Sequence, residues 1–403
     1  MAFGQGLSGL GAAAQELDII GNNIANSGTV GFKSSAPSFA DVYATSRVGL
    51  GVQVAAVNQK FSGGNIRDTG GQFDIAIDGE NGFFRVQDPN GASLYTRNGE
   101  FFADKDNYIV NAQGHRLTGY LGDSTTPTAL QVPTGNISPR ATSELSTKTN
   151  LDANADVIAA GVAFDPDDAD TYTHSLPITV YDSLGNAHQV VQYFVKRPDV
   201  GNESVWDVNY RLDGQALTAP ADGATEMRFD SNGLLISPAS VDVEFAQPGA
   251  GTGSPAAPLE MTVRYNGSTQ FGGPFAPNFT QNGYATGEYV GLSINNDGAV
   301  VARYTNDQSQ TVGYLALANF NNLQGLQPVG GNAWAETGAS GQAILGRPGT
   351  NGLALIKGGA LEESNVDMSQ ELVNMIIAQR TYQANAQTIK TQDQVLQTLI
   401  SLR

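Results

Sequence analysis

The residues best suited to chemistry in this 403-residue chain are few: an aspartate run DPDDAD at 165–170, the pair Asp74 and Asp78 in FDIAIDG, a glycine run GQGLSG at 4–9, and the histidines His115, His174 and His188. Carboxylates bunched in a loop can hold calcium, but DPDDAD lacks the EF-hand spacing. Ala169 stands where the third ligand belongs and Asp170 where the turn glycine belongs, so the run reads as a solvated loop. Asp74 and Asp78 lie four apart in a strand-like stretch and share a face, as paired-carboxylate catalysis requires; salt-bridged or solvated positions suit them better. GQGLSG matches the dinucleotide fingerprint G-x-G-x-x-G in form, yet that motif must follow a strand and open a βαβ unit, and only three residues of this sequence precede it. None of the histidines has a partner at metal-ligand spacing. No Walker sequence, H-E-x-x-H or G-x-S-x-G occurs. The chain therefore does not read as an enzyme, and no catalytic residue, cofactor site or metal site is expected.

Composition narrows the class further. Forty per cent of the residues are hydrophobic, enough for packed cores, while 48 Gly, 17 Pro and only 15% charged residues point to many short strands joined by tight turns. A net charge of −18 argues against a nucleic-acid partner, because phosphate binding needs a basic face. No apolar run approaches the ~20 residues of a membrane helix, so no membrane insertion is expected, and no cleavable signal peptide is visible. The absence of cysteine excludes disulfides and thiolate zinc sites. Charge is unevenly placed: residues 72–357 carry −16, residues 1–71 none and residues 358–403 −2. Such a distribution suits a middle that faces water and ends that pack against something.

The elements that would do the packing are at the two ends. From Ala360 onward there is no Gly and no Pro, and Ser364 and Asp367 have the spacing of a capping box. Leu372, Met375, Gln379, Tyr382, Ala386, Ile389, Asp393, Leu396 and Ile400 then alternate steps of three and four, a coiled-coil seam. A helix from about Val366 to Ser401 would be roughly 54 Å long. The same step pattern runs through Phe3, Leu7, Leu10, Ala14, Leu17, Gly21 and Ile24. Five glycines there each cost a helix about 1 kcal/mol relative to alanine, so this segment needs a partner, and the C-terminal seam is the obvious one. The expected buried set is Leu7, Leu10, Leu17, Leu372, Met375, Ile376, Tyr382, Ile389 and Leu396, with Phe3 and Ile24 at its ends.

Between the ends, strand-like runs alternate with turn dipeptides. Reversals are expected at Asn90-Gly91, Asn98-Gly99, Gln113-Gly114, Leu184-Gly185-Asn186 and Asn296-Asp297-Gly298. Residues 123–160 and 246–286 look like linkers whose symmetric placement suggests a domain inserted into a domain. The fold class is therefore α+β, mainly β. The expected organisation is a terminal helical core of 1–25 plus 364–403 and an irregular connector of 26–71 plus 358–363. A β-rich middle domain of 72–144 plus 285–357 carries an inserted β-rich outer domain of 145–284.

LDIIGNNIANSGTVGFKS near the N-terminus resembles the signature of the bacterial flagellar rod and hook axial protein family, and LEESNVDMSQELVNMIIAQRTYQANAQTIKTQDQVLQTLISLR resembles that family's C-terminal helix almost end to end. The residues that carry the match are Gly21, Asn22, Asn23, Asn26, Gly31, Phe32, Ser364, Asn365, Asp367 and Arg380. Within the family, YTRNGEFFAD, YDSLGNAH and DGAVVARYTNDQSQTVGYLALANFNNLQGL look like its hook members, as does the length.

The resemblance implies a homopolymer: a short curved tube that joins rod to filament and transmits torque as a universal joint. Its paired terminal helices would line the channel, and its β domains would stack outward. The implied partners are a distal rod protein, a hook cap protein, a hook-filament junction protein and the flagellar type III export apparatus, which would deliver the chain without a cleaved signal peptide. A distal rod or junction protein, and more remotely a secreted β-rich adhesin, are the alternative readings.

Overall fold

The computed structural model describes residues 2–42, 49–122, 124–220, 224–246 and 255–401. Its two long helices are terminal. The first, α1, spans Ala2–Ala25 and the second, α2, spans Met368–Ser401. Asp367 caps α2: its Oδ1 accepts the amides of Ser369 at 2.9 Å and Gln370 at 3.1 Å. Ser364 is not the cap. Its hydroxyl accepts the Val366 amide at 3.3 Å in the lead-in, because the residue that starts the helix must present its side chain to the next two or three amides. The helices pack against each other.

The stretch expected to be an irregular connector is partly regular. Ser35–Val42 pairs antiparallel with Gly51–Gln59, from Ser35 opposite Gln59 to Val42 opposite Gly51, with a bulge between Ser38 and Phe39. This hairpin lies on α1, where the Ser8 hydroxyl accepts the Val52 amide at 3.3 Å. Gly51, at φ +128°, passes so close that a Cβ there would stand 1.9 Å from the Ser8 hydroxyl. Farther on, Ile66–Asp68 pairs with Ala360–Glu362 and Ile75–Asp78 with Leu355–Gly358. Both chain ends thereby enter one antiparallel framework. Asp74, just outside the strand, accepts the Thr69 hydroxyl at 2.5 Å, and Asp78 is exposed.

Two compact units divide the chain: residues 1–134, 290–303 and 309–403, and residues 135–289 with 304–308. The first unit thus takes in the helices as well as the middle strands, and the second opens ten residues before the expected 145. In the first, Phe61, Phe83, Tyr95, Phe320 and Trp334 meet edge to face with ring centroids 4.8–6.1 Å apart. Trp334 Nε1 donates to Gln59 Oε1 at 2.7 Å. The Asn90-Gly91 and Gln113-Gly114 reversals occur between paired strands. Asn98-Gly99 is different: it follows Ser93–Thr96 without turning back, and a Cβ on Gly99 would stand 1.6 Å from the Ile75 carbonyl. That glycine serves a close backbone crossing, not a hairpin.

The second unit packs two sheets face to face. One is antiparallel, through His174–Tyr181, Ala187–Val200, Glu203–Leu212, Ala224–Phe229 and Leu235–Ser237. Glu144–Asp152 lies inside the other, flanked by Leu259–Arg264, Thr269–Phe271 and Ala276–Gln281, with Ser240–Phe245 at its edge. The stretches read as linkers therefore contribute strands, their alternation concealed because Thr147 and Thr149 fill inward positions beside Leu145 and Leu151. Trp206, Phe194, Phe229, Phe245 and Tyr265 form the core. Burial pushes the Tyr210 hydroxyl up to about 12 although Thr225 and Tyr265 hydrogen-bond it.

His188 in this unit has partners that its sequence spacing did not show. Its Nδ1 lies 2.6 Å from Asp213 Oδ2 and its Nε2 3.3 Å from Asp182 Oδ2. Burial alone would lower its pKa, but the hydrogen bonds and charges of the two aspartates outweigh that and raise it above 6.5. Asp182 is held below 3.8: burial opposes this, and hydrogen bonds from Asn186, Leu184 and His188 prevail. The cluster's stabilisation is thus fully present below the unfolded histidine pKa and fades as pH rises through the elevated folded one. On the acid side it fades as pH falls through the depressed Asp182 value. His188→Ala should lower the unfolding midpoint of this unit most near about pH 5.5, with the deficit shrinking as pH rises past the elevated histidine pKa. Thermal unfolding across pH measures it.

Candidate assembly interface

Where α1 and α2 come closest, α1 presents glycines to Asn385 and Ile389 of α2. Gly6, Gly9, Ala12, Ala13, Ile20 and Asn23 are the buried positions of α1, and Ala378, 1% exposed, is that of α2. Gly6 and Gly9 set the spacing: a Cβ on Gly6 would lie 3.1 Å from Ile389 Cγ1, and one on Gly9 2.8 Å from Asn385 Oδ1. Such close approach is possible only where side chains are missing. Gly6 and Gly9 of GQGLSG are therefore a helix-packing device.

The expected seam of α1 has the right period and the wrong phase, and that of α2 is displaced at every second position. On α1 the sheltered positions run 6, 9, 13, 16, 20, 23, each one residue before the expected 7, 10, 14, 17, 21, 24. On α2 the shift affects alternate positions only: Glu371, Ala378, Asn385 and Gln392 precede Leu372, Gln379, Ala386 and Asp393 by one, while Met375 and Ile389 stay sheltered at their expected places. One residue is about 100° of helix rotation, enough to turn the large side chains outward. Phe3 and Leu7 are exposed, the latter 56%; Leu10, Leu17 and Ile24 are half-buried. On α2, Leu372, Ile376, Tyr382 and Leu396 are exposed together with Val373, Ile377 and Val395, while Met375 and Ile389 are half-buried. Ile400 lies outside the described side chains. The expected buried set is thus mostly uncovered within the chain, because the two backbones approach over glycine and alanine.

Several polar groups of α2 are occupied within the helix itself. Thr381, Thr388, Thr391 and Thr398 each donate to the carbonyl four residues back, at 2.8–3.0 Å. Gln370 bonds Asn374 and Gln397 bonds Asp393. Hydroxyls satisfied in this way can leave water at little further cost.

Where the helices meet the β framework, the motif residues converge. Asn23 donates to the Ser35 carbonyl at 2.8 Å and to Glu371 at 3.1 Å, and accepts the Ser35 amide at 3.0 Å. Asn365 accepts the Ser34 amide at 2.7 Å and donates to the Lys60 carbonyl at 2.7 Å. Gly31, at φ +67°, presses against Arg97, where a Cβ would stand 2.5 Å from the carbonyl carbon. Phe32 is half-buried and its carbonyl accepts the Asn365 amide at 3.4 Å. Asn26 and Asn22 bond each other at the end of α1. Gly21 has open space at its Cβ position, and Arg380 is exposed. Sequence reasoning missed Lys33, Arg97 and Glu362, which lie buried together beside this junction.

The other candidates remain apart. In DPDDAD, Asp165 and Asp168 accept the amides of Asp167 and Asp170 and so close their own loop. His174 stacks on Phe275 with centroids 4.4 Å apart. Among the described residues no helix is long and apolar enough to cross a membrane.

Four family descriptions match segments of the chain: "Flagella basal body rod protein" at residues 5–33, "Flagellar hook protein FlgE/F/G D1 domain" at 76–152, "Flagellar basal body protein FlaE D2 domain" at 150–284 and "Flagellar basal body rod FlgEFG protein C-terminal" at 357–402. The chain is 46% identical to the flagellar hook protein FlgE of Salmonella typhimurium and 44% identical to that of Escherichia coli K12, over 100% of both chains in each case. It is 31% identical to FlgE of Borreliella burgdorferi over 99% of this chain and 98% of that one. A crystal structure of Helicobacter pylori flagellar hook protein FlgE2 shares the fold, with a TM-score of 0.51 and 14% identity over 74% of this chain and 99% of that chain.

Proposed function

The chain belongs to the flagellar hook protein family and is a structural subunit of the bacterial flagellar hook, and from that premise we propose that copies polymerise through their terminal helices into a curved, torque-transmitting tube. The observation that carries this reading is the outward turn of the large apolar side chains on both helices. Ile377 is 57% exposed and Leu396 51%, on a helix whose Thr381, Thr388, Thr391 and Thr398 hydroxyls are already bonded to its own carbonyls. An isolated soluble subunit has no use for such a face, and a neighbouring copy would cover it. The helical seam within each subunit would resist twist, and the acidic, polar β surfaces would exchange contacts as the tube bends. At its ends the polymer would meet a distal rod protein, a hook cap protein and a hook-filament junction protein. The flagellar type III export apparatus would deliver the chain without a cleaved signal.

Electron microscopy of basal bodies from cells deleted for this gene tests the assignment. Complete rods with no curved hook are expected. Truncated rods would make the chain a rod subunit, and normal hooks would overturn the reading.

A further inference from the structure

Three charges lie inside the first unit where none of the assembly contacts uses them. The side chains of Lys33, Arg97 and Glu362 are 0%, 0% and 1% exposed. Glu362 is the hub: its Oε1 accepts Lys33 Nζ at 2.5 Å and the Gly64 amide at 2.9 Å, and its Oε2 accepts Arg97 Nη1 at 3.2 Å. Lys33 Nζ also donates to the Ser62 carbonyl at 2.7 Å, and Arg97 to the carbonyls of Gly79, at 2.9 Å, and Glu80. Burial pulls both cations below their ordinary pKa values against the opposing pull of Glu362 and, more weakly, of Glu80. Glu80 is exposed. The cluster therefore holds two buried cations and a single buried anion.

These groups come from distant parts of the chain. Lys33 and Glu362 are 329 positions apart, Arg97 and Glu362 265. Lys33 follows α1 closely, Glu362 ends the strand that leads into α2, and the Gly31 amide donates to the Glu362 carbonyl at 2.8 Å. An ammonium and a guanidinium do not leave water without a counter-charge, and removing one partner of a buried pair is far more damaging than replacing the pair.

We propose that the Lys33–Glu362–Arg97 triad is a docking latch: Lys33 and Arg97 enter the interior only with Glu362 in place, so α1 is seated on the β framework only when the C-terminal strand has arrived with α2 behind it. Either end alone would bury uncompensated charge, and the two ends dock together or not at all. The latch is a property of the single chain and holds whatever the chain assembles into.

Hydrogen exchange on the full-length protein tests it, following residues 27–36, 60–66 and both helices, with residues 174–212 as the internal control. Glu362→Gln keeps the shape and removes the cluster's only anion; exchange in the followed segments should rise about a hundredfold or more, with the control unchanged. Lys33→Met leaves one cation with one anion and should raise exchange less than about tenfold. The deciding variant combines Glu362→Gln with Lys33→Met, which restores the wild-type excess of one positive charge while losing a further hydrogen bond. Charge compensation requires the double variant to be better protected than Glu362→Gln alone. If only packing and hydrogen bonds mattered, the two losses would add and the double would exchange faster. Wild-type protection in Glu362→Gln, or a double variant exchanging as fast as that single variant or faster, overturns the latch.

Discussion

Replacing Gly9 with valine is expected to part the two terminal helices and leave cells without assembled hooks. A Cβ at this position would stand 2.8–3.0 Å from three atoms of the Asn385 side-chain amide. Alanine could be tolerated by a turn of that amide, because the atoms it meets are the far end of a side chain. Valine adds two further methyl groups to the same gap, and overpacking of this kind costs about 1–3 kcal/mol. Gly6→Val in the same chain would add a second clash, against Ile389, whose Cγ1 is 3.1 Å from the Cβ position. A helix this rich in glycine has no reserve to absorb such a loss, since each glycine already costs about 1 kcal/mol of helix propensity. The controls lie on the same helix: Gly4 and Gly11 have nothing within 4 Å of a built Cβ. Gly4→Ala and Gly11→Ala should therefore strengthen α1 and leave hooks intact. Far-ultraviolet circular dichroism of the purified chain and electron microscopy of complemented cells read both arms. Full helicity and normal hooks in Gly9→Val would mean that close approach is not what holds the pair.

The seam shows what the sequence could and could not convey. Steps of three and four are visible in a single chain, because the helical period is the same whichever face is buried. The phase is not. Hydrophobicity places Leu7, Leu10 and Leu17 at the contact, whereas the contact within the subunit is made by Gly6, Gly9 and Ala13, and a rule that equates large apolar with buried then errs by one residue along α1 and at alternate positions of α2, where Ile389 does reach Gly6. The error is informative: the large side chains it leaves exposed are the ones proposed above to be covered by a neighbouring copy. The hairpin Ser35–Val42 with Gly51–Gln59 was hidden for a different reason. SAPSFADV contains a proline and little β-branched character, and its register comes from its partner strand and from α1. Asn98-Gly99 looked like a turn because glycine's two uses, positive φ and absent Cβ, are indistinguishable in sequence. The Lys33–Glu362–Arg97 cluster was out of reach altogether, since nothing local marks a charge that will be buried against another more than 260 positions away. The motif asparagines were legible as a signature, and their work, tying Ser34 and Ser35 to the start of α2, became readable only in three dimensions.

Leu396→Asp is expected to abolish polymerisation while leaving the subunit folded. Leu396 is 51% exposed within the chain, so an aspartate there stays in water and should change subunit stability by no more than about 0.5 kcal/mol. In the tube the same position would be covered by a neighbour. Losing a buried leucine forfeits about 1.5–3 kcal/mol per contact, and an unpaired carboxylate at a dry interface costs several kcal/mol more. The penalty recurs in every subunit, so a helical polymer near its critical concentration should not form at all. Leu396→Ala, which loses area without adding charge, should raise the critical concentration and still permit hooks. Sedimentation and microscopy of the purified variants, beside their thermal unfolding, separate the two effects. A Leu396→Asp subunit that unfolds early would place this residue in the chain's own packing, contrary to its exposure. One that is stable and builds normal hooks would remove the outward face of α2 from the assembly contact and leave only that of α1.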